Sequence, residues 1–143
     1  MYTRDRADRQ PGDVMDSCNE RSNFRHEDAP TLDVVAFRRS TLENAVLQKR
    51  ILTLCLTTTD GLDRKIEQHV AQDLPETSQI LHFCKGVFMN VRASRLVATL
   101  EAMESSLHAG DRDACIALVP VFLDEFGKAR NAVSGLLAEF EGN

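Results

Sequence analysis

Apolar residues recur at helical spacing along most of the chain after residue 30. Residues 33–39 are predicted to form a short helix, whose anchors onto the domain would be Val34, Val35 and Phe37. From about residue 42 to residue 71, side chains three or four positions apart form one stripe, made of Leu47, Ile51, Leu54, Cys55, Thr58, Leu62, Ile66 and Val70. Asp60 and Gly61 can interrupt this second helix.

Three further helices are predicted, over about 75–90, over about 93–109, and from there to about residue 141. The helix over 93–109 places four apolar residues on one side: Leu96, Leu100, Met103 and Leu107. The last helix carries a longer stripe: Cys115, Leu118, Val119, Phe122, Phe126, Ala129, Val133, Leu136, Leu137 and Phe140. Gly110 can end one helix in a left-handed conformation, and Pro120 is expected to kink the next without ending it. The pattern predicts an all-α fold, an antiparallel four-helix bundle with a short extra N-terminal helix.

Residues 1–30 show a different composition. They mix Arg, Asp, Asn, Ser and Gln with few apolar residues and no period, so they cannot bury enough surface to offset the entropy of ordering. We therefore expect a flexible tail over 1–30 and one helical bundle domain over 31–143, a length that suits a single domain with a core.

Charge and cysteine content exclude several classes of function. A formal net charge of -5 argues against a nucleic-acid ligand, which needs a concentrated basic face. No apolar stretch approaches the roughly 20 residues of a membrane span, and no signal peptide is apparent. The cysteines stand far apart without a CxxC pair and are expected to be reduced thiols: Cys18, Cys55, Cys84 and Cys115. The sequence thus predicts a cytoplasmic protein that binds neither nucleic acid nor membrane.

The helix predicted over about 75–90 carries an outward histidine. Projection at about 100° per residue gathers its apolar residues on one face: Ile80, Leu81, Cys84, Val87, Phe88 and Val91. His82 points nearly opposite to that face. Its helical neighbours on the outer side are Ser78, Lys85, Gly86 and Met89. The helix is therefore expected to present an exposed imidazole beside one cation.

Gly86 is an unusual choice here, because glycine inside a helix costs roughly 0.5 to 1 kcal/mol relative to alanine. One turn after His82, its missing side chain gives another protein steric access to the imidazole. Lys85 can neutralise negative charge that arrives at His82. The three residues fit a site that receives and passes on a phosphoryl group, where positioning and charge neutralisation supply the catalysis.

The stretch His82-Phe-Cys-Lys85-Gly86 matches the HxxKG signature of histidine-containing phosphotransfer (Hpt) domains, and the chain resembles this family over about residues 33–140. Other positions that fit the family pattern are Asn90, Val91, Ala93, Leu96, Leu100, Met103, Glu104, Gly110, Asp111, Pro120, Glu125 and Phe126. The resemblance implies phosphorylation of His82 and relay between response-regulator receiver domains in two-component signalling. It also implies receiver domains and a hybrid sensor kinase as partners, with magnesium on the receiver and no cofactor on this chain.

Several positions depart from the family pattern. Four positions around the site differ from the family's usual residues: Phe83, Val87 and Phe88 are larger than those residues, and Cys84 stands in place of leucine. Arg92 stands where a helix-ending glycine is common, so that turn is expected to close differently. Ser78, Phe83 and Met89 are the candidate residues for receiver docking, because an apolar rim around a polar centre is typical of a docking surface.

Other interpretations are weaker or remain as alternatives. No ExxH or zinc-ligand spacing occurs, and no Gly-rich nucleotide loop indicates a kinase, so the chain is expected to be a phosphoryl carrier and not an enzyme in the usual sense. His26 and His108 are expected to be solvated, and His69 to be a hydrogen-bonded boundary residue. The alternative function is a helical interaction module that binds a receiver domain or sensor kinase without being phosphorylated.

Overall fold

A computed structural model of the chain describes residues 29–141. Six helices make up their regular secondary structure: α1 (Val34–Ser40), α2 (Ala45–Thr58), α3 (Leu62–Gln72), α4 (Thr77–Asn90), α5 (Ser94–His108) and α6 (Arg112–Glu141). No strand occurs among the described residues, and the all-α prediction is confirmed. All but the last two residues of the predicted tail over 1–30 lie outside the described residues.

The helices form a bundle around one apolar core. The longest helix, α6, packs against α2, α3 and α5, while α4 packs against α2, α3 and α5. The core takes its side chains from every helix, with these fully buried members: Phe37, Leu52, Ile66, Leu81, Phe88, Leu96, Leu100, Met103, Phe122 and Val133. The predicted apolar faces of α4, α5 and α6 supply most of this core, as expected from their helical spacing.

The long stripe predicted over 42–71 is divided into α2 and α3 at the predicted interruption. Gly61 adopts a left-handed φ of 75°, which glycine tolerates without steric cost. Polar groups at the C-terminal end of α2 accept hydrogen bonds from α6. The Arg130 guanidinium donates to the Leu56 carbonyl at 2.8 Å and to Thr59 Oγ1 at 2.6 Å. Thr59 is fully buried, so α2 ends inside the bundle with its polar groups paired.

The buried face of α2 differs from the predicted stripe. Leu47 and Leu54 are exposed at 40% and 62%, whereas Gln48 and Leu52 are buried. Polar contacts favour this phase, since Gln48 Nε2 donates to the buried Thr41 Oγ1 at 2.8 Å. Thr58 of the predicted stripe is also exposed. Cys55 of the predicted stripe is buried and Ile51 packs against the core, so the prediction is wrong for Leu47, Leu54 and Thr58 only.

The predicted short helix forms as α1, but one of its three anchors is wrong. Phe37 is buried and Val34 packs partly against the core. Val35, in contrast, is 65% exposed and does not anchor the helix. Because α1 has only seven residues, it presents a single narrow side to the bundle.

The turn between α4 and α5 has the conformation that a glycine would give it. The expectation that Arg92 would make this turn close differently is therefore wrong. Arg92 adopts a left-handed φ of 61°. Its amide donates to the Met89 carbonyl at 3.1 Å, and the Ala93 amide donates to the Phe88 carbonyl at 3.0 Å. These two bonds form a Schellman motif, so the hydrogen bonding of the turn offsets the steric cost of a side chain at positive φ.

The last helix begins and continues as the sequence predicts. Gly110 has a left-handed φ of 74°, and the Asp111 carboxylate accepts from the Ala114 amide at 3.1 Å. Pro120 lies within α6, which continues to Glu141. Although this helix has 30 residues, it is not apolar enough to cross a membrane. No helix in residues 29–141 combines the necessary length and apolar character.

Candidate functional site

His82 lies on the outer side of α4, with its side chain 73% exposed. The inner side of the same helix is fixed in the core by Leu81, Cys84 and Phe88, each fully buried. The Phe88 ring packs edge-on against Phe126, with 5.5 Å between ring centroids. Because three buried positions set the rotation of α4, the direction in which His82 projects follows from core packing.

Glu104 of α5 holds both polar residues of the α4 motif. Its Oε2 lies 3.3 Å from His82 Nδ1, and its Oε1 lies 2.9 Å from Lys85 Nζ. The Glu104 side chain is only 11% exposed and that of Lys85 only 19%. The hydrogen bond from Lys85 to Glu104 raises the pKa of the Lys85 ammonium above its ordinary 10.5, although burial acts against this shift. Lys85 and Glu104 therefore form an ion pair at neutral pH.

The contact with Glu104 selects one tautomer of the neutral His82 ring. An ionised carboxylate can only accept a hydrogen bond, so Nδ1 must carry the proton that lies between the two residues. The lone pair of the neutral ring is then on Nε2, the nitrogen on the other side of the imidazole. The fold thus orients a nucleophilic nitrogen away from α5 and towards solvent.

A surface groove between α4 and α5 surrounds this group. It is lined by His82, Lys85, Glu101, Glu104, Ser105 and His108. Four of these residues repeat at positions three, four and seven apart on α5, so they form one polar face of that helix. Among the described residues that line the groove, Lys85 is the one lysine or arginine. The two carboxylates of the groove belong to Glu101 and Glu104.

Gly86 is exposed, and a Cβ built on it would meet no atom within 4 Å. Packing inside the bundle therefore does not require glycine at this position. Ser78, one turn before His82, is half-buried. The surface of α4 around His82 is open, as steric access to the imidazole requires.

The other two candidate docking residues lie in different grooves. Phe83, 50% exposed, lines a groove between α3 and α4 together with Leu62 and Lys65. Met89, 48% exposed, lines a groove between α4 and α5 together with Val97. Phe83 and Met89 thus line separate grooves on two flanks of α4, and their assignment to receiver docking stays a prediction.

Two of the four positions that depart from the family pattern lie inside the bundle, away from the surface around His82. Cys84 and Phe88 are fully buried, so these two departures change the core and not the surface around His82. Val87 is half-buried and packs against the core. Phe83 alone adds a largely exposed apolar group, because it is on the opposite flank of α4 from its buried residues.

The remaining candidate residues are accounted for structurally. His69 is half-buried with Nδ1 2.8 Å from the Lys65 carbonyl, and His108 is exposed, both as predicted. Cys55 and Cys84 are buried, and burial raises the pKa of the Cys55 thiol to about 11 and that of Cys84 further. His26 and Cys18 lie outside the described residues. Within residues 29–141 there is no group of three or more side chains suited to a metal ion.

The sequence analysis included Glu104 in the family pattern but assigned it no role. A usable signal existed, because Glu104 lies four residues after Leu100 and next to Met103, both on the apolar stripe of α5. A carboxylate at the margin of such a stripe needs a buried partner. The periodicity of α5 alone could not show that this partner comes from α4, 19 and 22 residues earlier in the chain.

Comparison of the chain with protein-family models, with curated proteins and with solved structures gives no match. The functional conclusion depends on the geometry of His82, Lys85 and Glu104 and on the sequence motif that contains the first two.

Proposed function

We propose that this chain is a histidine phosphotransfer protein, which relays a phosphoryl group between receiver domains through His82. The observation that carries the proposal is the exposed imidazole whose Nδ1 lies 3.3 Å from the Glu104 carboxylate. This arrangement leaves Nε2 as the nucleophile and gives the other nitrogen a charge partner. The HxxKG motif supports the same interpretation independently of the geometry.

In the proposed reaction, the Nε2 lone pair attacks the phosphorus of an aspartyl phosphate on a receiver domain. The N–P bond forms as the bond from phosphorus to the aspartate oxygen breaks, and the electron pair remains on the released carboxylate. The imidazole ring becomes more positive as it accepts the phosphoryl group, and the Glu104 carboxylate at Nδ1 stabilises this charge. Donation to a second receiver reverses these steps.

Lys85 supplies the nearest permanent positive charge for the transferred group. A phosphoryl group adds roughly -1.5 to -2 charge, and Lys85 lies one helical turn from His82. Its pairing with Glu104 holds it beside the imidazole before the phosphoryl group arrives. The chain supplies the acceptor and these two charges, while the magnesium ion of the reaction belongs to the receiver domain.

The proposed carrier works in the cytoplasm and has receiver domains and a hybrid sensor kinase as its partners. Gly86 leaves open the surface one turn from His82 on which a receiver could approach. The open space there is consistent with a partner whose active site must reach the imidazole directly.

The decisive experiment offers the full-length protein to each receiver domain of its host, loaded from acetyl phosphate. Wild type should gain acid-labile, alkali-stable phosphate from at least one receiver, and His82→Gln should gain none. His108→Gln is the matched control, since His108 is exposed and lines the same groove, and this variant should be labelled like wild type. Label on His82→Gln would show that the site is wrong. Absence of label on wild type with every receiver would favour the alternative, an interaction module without phosphorylation.

A further inference from the structure

The outer face of α2 carries aliphatic side chains that no helix within residues 29–141 covers. We define this face by the residues that line it: Val46, Lys49, Arg50, Thr53, Leu54 and Thr57. Val46 is 75% exposed and Leu54 62%, and Leu42 in the preceding turn is 88% exposed. Five of the eight large hydrophobic residues exposed in the described part of the chain occur in α1, α2 or the turn between them. Exposed apolar surface on this protein is therefore concentrated at one place.

The same region is basic, unlike the remainder of the protein. Residues 34–58 contain four basic residues and one acidic residue, whereas residues 59–141 contain eight basic and thirteen acidic ones. Lys49 and Arg50 lie between Val46 and Leu54 on the outer face, and no acidic residue lines it within the described part of the chain. This separation of charge would orient the outer face of α2 towards an anionic surface.

The shape of this face decides between possible occupants. One helix alone lines it, so no second element of residues 29–141 closes it into a deep pocket that would hold a partner's side chain. A symmetric contact with a second copy would bring two sets of the same cations together. An anionic bilayer attracts these cations, and its interface accepts projecting aliphatic groups without a complementary shape.

We propose that the outer face of α2 binds anionic lipid at a membrane surface, as a peripheral contact with no spanning segment. The aliphatic residues enter the boundary between headgroups and acyl chains, while Lys49 and Arg50 extend their apolar stems along it and keep their charges at the headgroups. This proposal departs from the expectation, drawn from the sequence, of a protein without membrane contact. That expectation considered only a spanning segment and a signal peptide, and neither describes a face of a folded helix.

Lipid binding at α2 is compatible with an accessible His82. The groove that contains His82 is lined by residues of α4 and α5 alone. None of the six residues of the outer face of α2 belongs to that groove. The proposal therefore does not depend on phosphotransfer and can be tested without a receiver domain.

The test is co-sedimentation of the full-length protein with vesicles of phosphatidylcholine and phosphatidylserine in equal parts, and with vesicles of phosphatidylcholine alone, at low ionic strength. Wild type should bind the mixed vesicles, bind the neutral vesicles much less, and be released by salt. Leu54→Glu should lower the partition coefficient at least about tenfold, because it removes an inserted group and adds a negative charge. Ile116→Glu is the matched control on α6, where Ile116 is 38% exposed, and should lower binding less than about threefold.

Lys49→Glu tests the electrostatic part, with Lys128→Glu on α6 as a control that makes the same change in charge. Lys49→Glu should lower binding at least about tenfold, and Lys128→Glu clearly less. The proposal is wrong if wild type does not bind the mixed vesicles, or if Leu54→Glu and Ile116→Glu bind equally. Concentration-dependent dimerisation of wild type that Leu54→Glu abolishes would also overturn it, since a second copy would then cover the face. Circular dichroism of each variant shows whether the fold is intact.

Discussion

Two carboxylates inside this bundle have similar partners and different surroundings. Glu104 of α5 and Glu125 of α6 are both buried, and each pairs with a cation, Lys85 at 2.9 Å and Arg95 at 3.1 Å. The Glu125 side chain is only 3% exposed, and its pair with Arg95 connects α5 to α6 in the bundle. Glu104 instead uses its second oxygen to contact the exposed His82.

The same kind of ion pair therefore stands in two environments, one enclosed between helices and one beside an exposed imidazole. Removing a carboxylate from water costs several kcal/mol, which a well-placed cation offsets. At Glu125 the result is a connection between two helices. At Glu104 the same desolvation cost also places a negative charge beside an imidazole on the surface. This contact adds little to folding, but it controls the tautomer of His82.

The largest expected effect on stability concerns Glu125. Glu125→Ala leaves the Arg95 guanidinium largely buried without this partner and should lower the free energy of unfolding by about 3 kcal/mol. Urea denaturation followed by circular dichroism measures the change. Glu139→Ala is the control, because the Glu139 side chain is 67% exposed and its 3.8 Å pair with Arg38 contributes little. A loss below about 1 kcal/mol for Glu125→Ala would mean that the pair is not structural in the sense argued here.

The next effect separates the two carboxylates by function. Glu104→Gln retains the shape and one hydrogen-bond acceptor but removes the charge beside His82, so the rate of phosphotransfer to His82 should fall about tenfold or more. Its cost in stability should be smaller than that of Glu125→Ala. The matched control is Glu101→Gln, an exposed residue of the same groove, which should change the rate less than about threefold. Equal rates for wild type and Glu104→Gln would remove Glu104 from the mechanism.

Alkaline pH distinguishes the two pairs, because lysine can lose its proton in an accessible range and arginine cannot. The hydrogen bond to Glu104 raises the pKa of Lys85 above its ordinary 10.5 in the folded protein. The pair therefore stabilises the fold fully below the pKa of the unfolded state, and this contribution disappears as pH rises through the folded pKa. The unfolding free-energy difference between wild type and Lys85→Met should shrink as pH rises past the ordinary pKa of 10.5 and through the raised pKa of Lys85, while that for Arg95→Met should not. A difference for Lys85→Met that does not change with pH would contradict the ion pair.

The smallest effect concerns Gly86, on the functional side of α4. Gly86→Ala should raise the free energy of unfolding by up to roughly 1 kcal/mol, because a Cβ there meets no atom and alanine favours the helix. Gly127→Ala in α6 is a control with equally open surroundings. Gly86→Glu should fold and transfer phosphate much more slowly, since it adds bulk and negative charge one turn from His82. If Gly86→Glu transfers at the wild-type rate, receivers do not approach over Gly86.

How far the fold could be predicted differs between helices. The apolar stripes of α5 and α6 were placed correctly, because each helix has polar residues on its other side and so permits one phase only. In α2 nearly every position is apolar or small, so spacing alone allows two phases. The choice was made by contacts outside the helix, such as Gln48 with Thr41, and Arg130 with the Leu56 carbonyl at the end of α2.

The candidate site was predicted in part for a similar reason. His82, Lys85 and Gly86 lie within five residues of one helix, so their common side follows from helical geometry. The role of Glu104 depends on how α5 packs against α4, which their separate periodicities do not specify. Phe83 and Met89 lie on different flanks of α4, one beside α3 and one beside α5, which the periodicity of α4 alone could not show.

The sequence by itself determined the helical class, the outward position of His82 and the freedom of Gly86 from packing, since each depends on residues within one or two helical turns. Only the tertiary structure decided which face of α2 is exposed, and that Glu104 pairs with Lys85 and contacts the His82 ring. These features join residues distant in sequence, or depend on hydrogen bonds that close only when neighbouring helices are in place. Their energies come from contacts between helices, for which the periodicity of one helix contains no information.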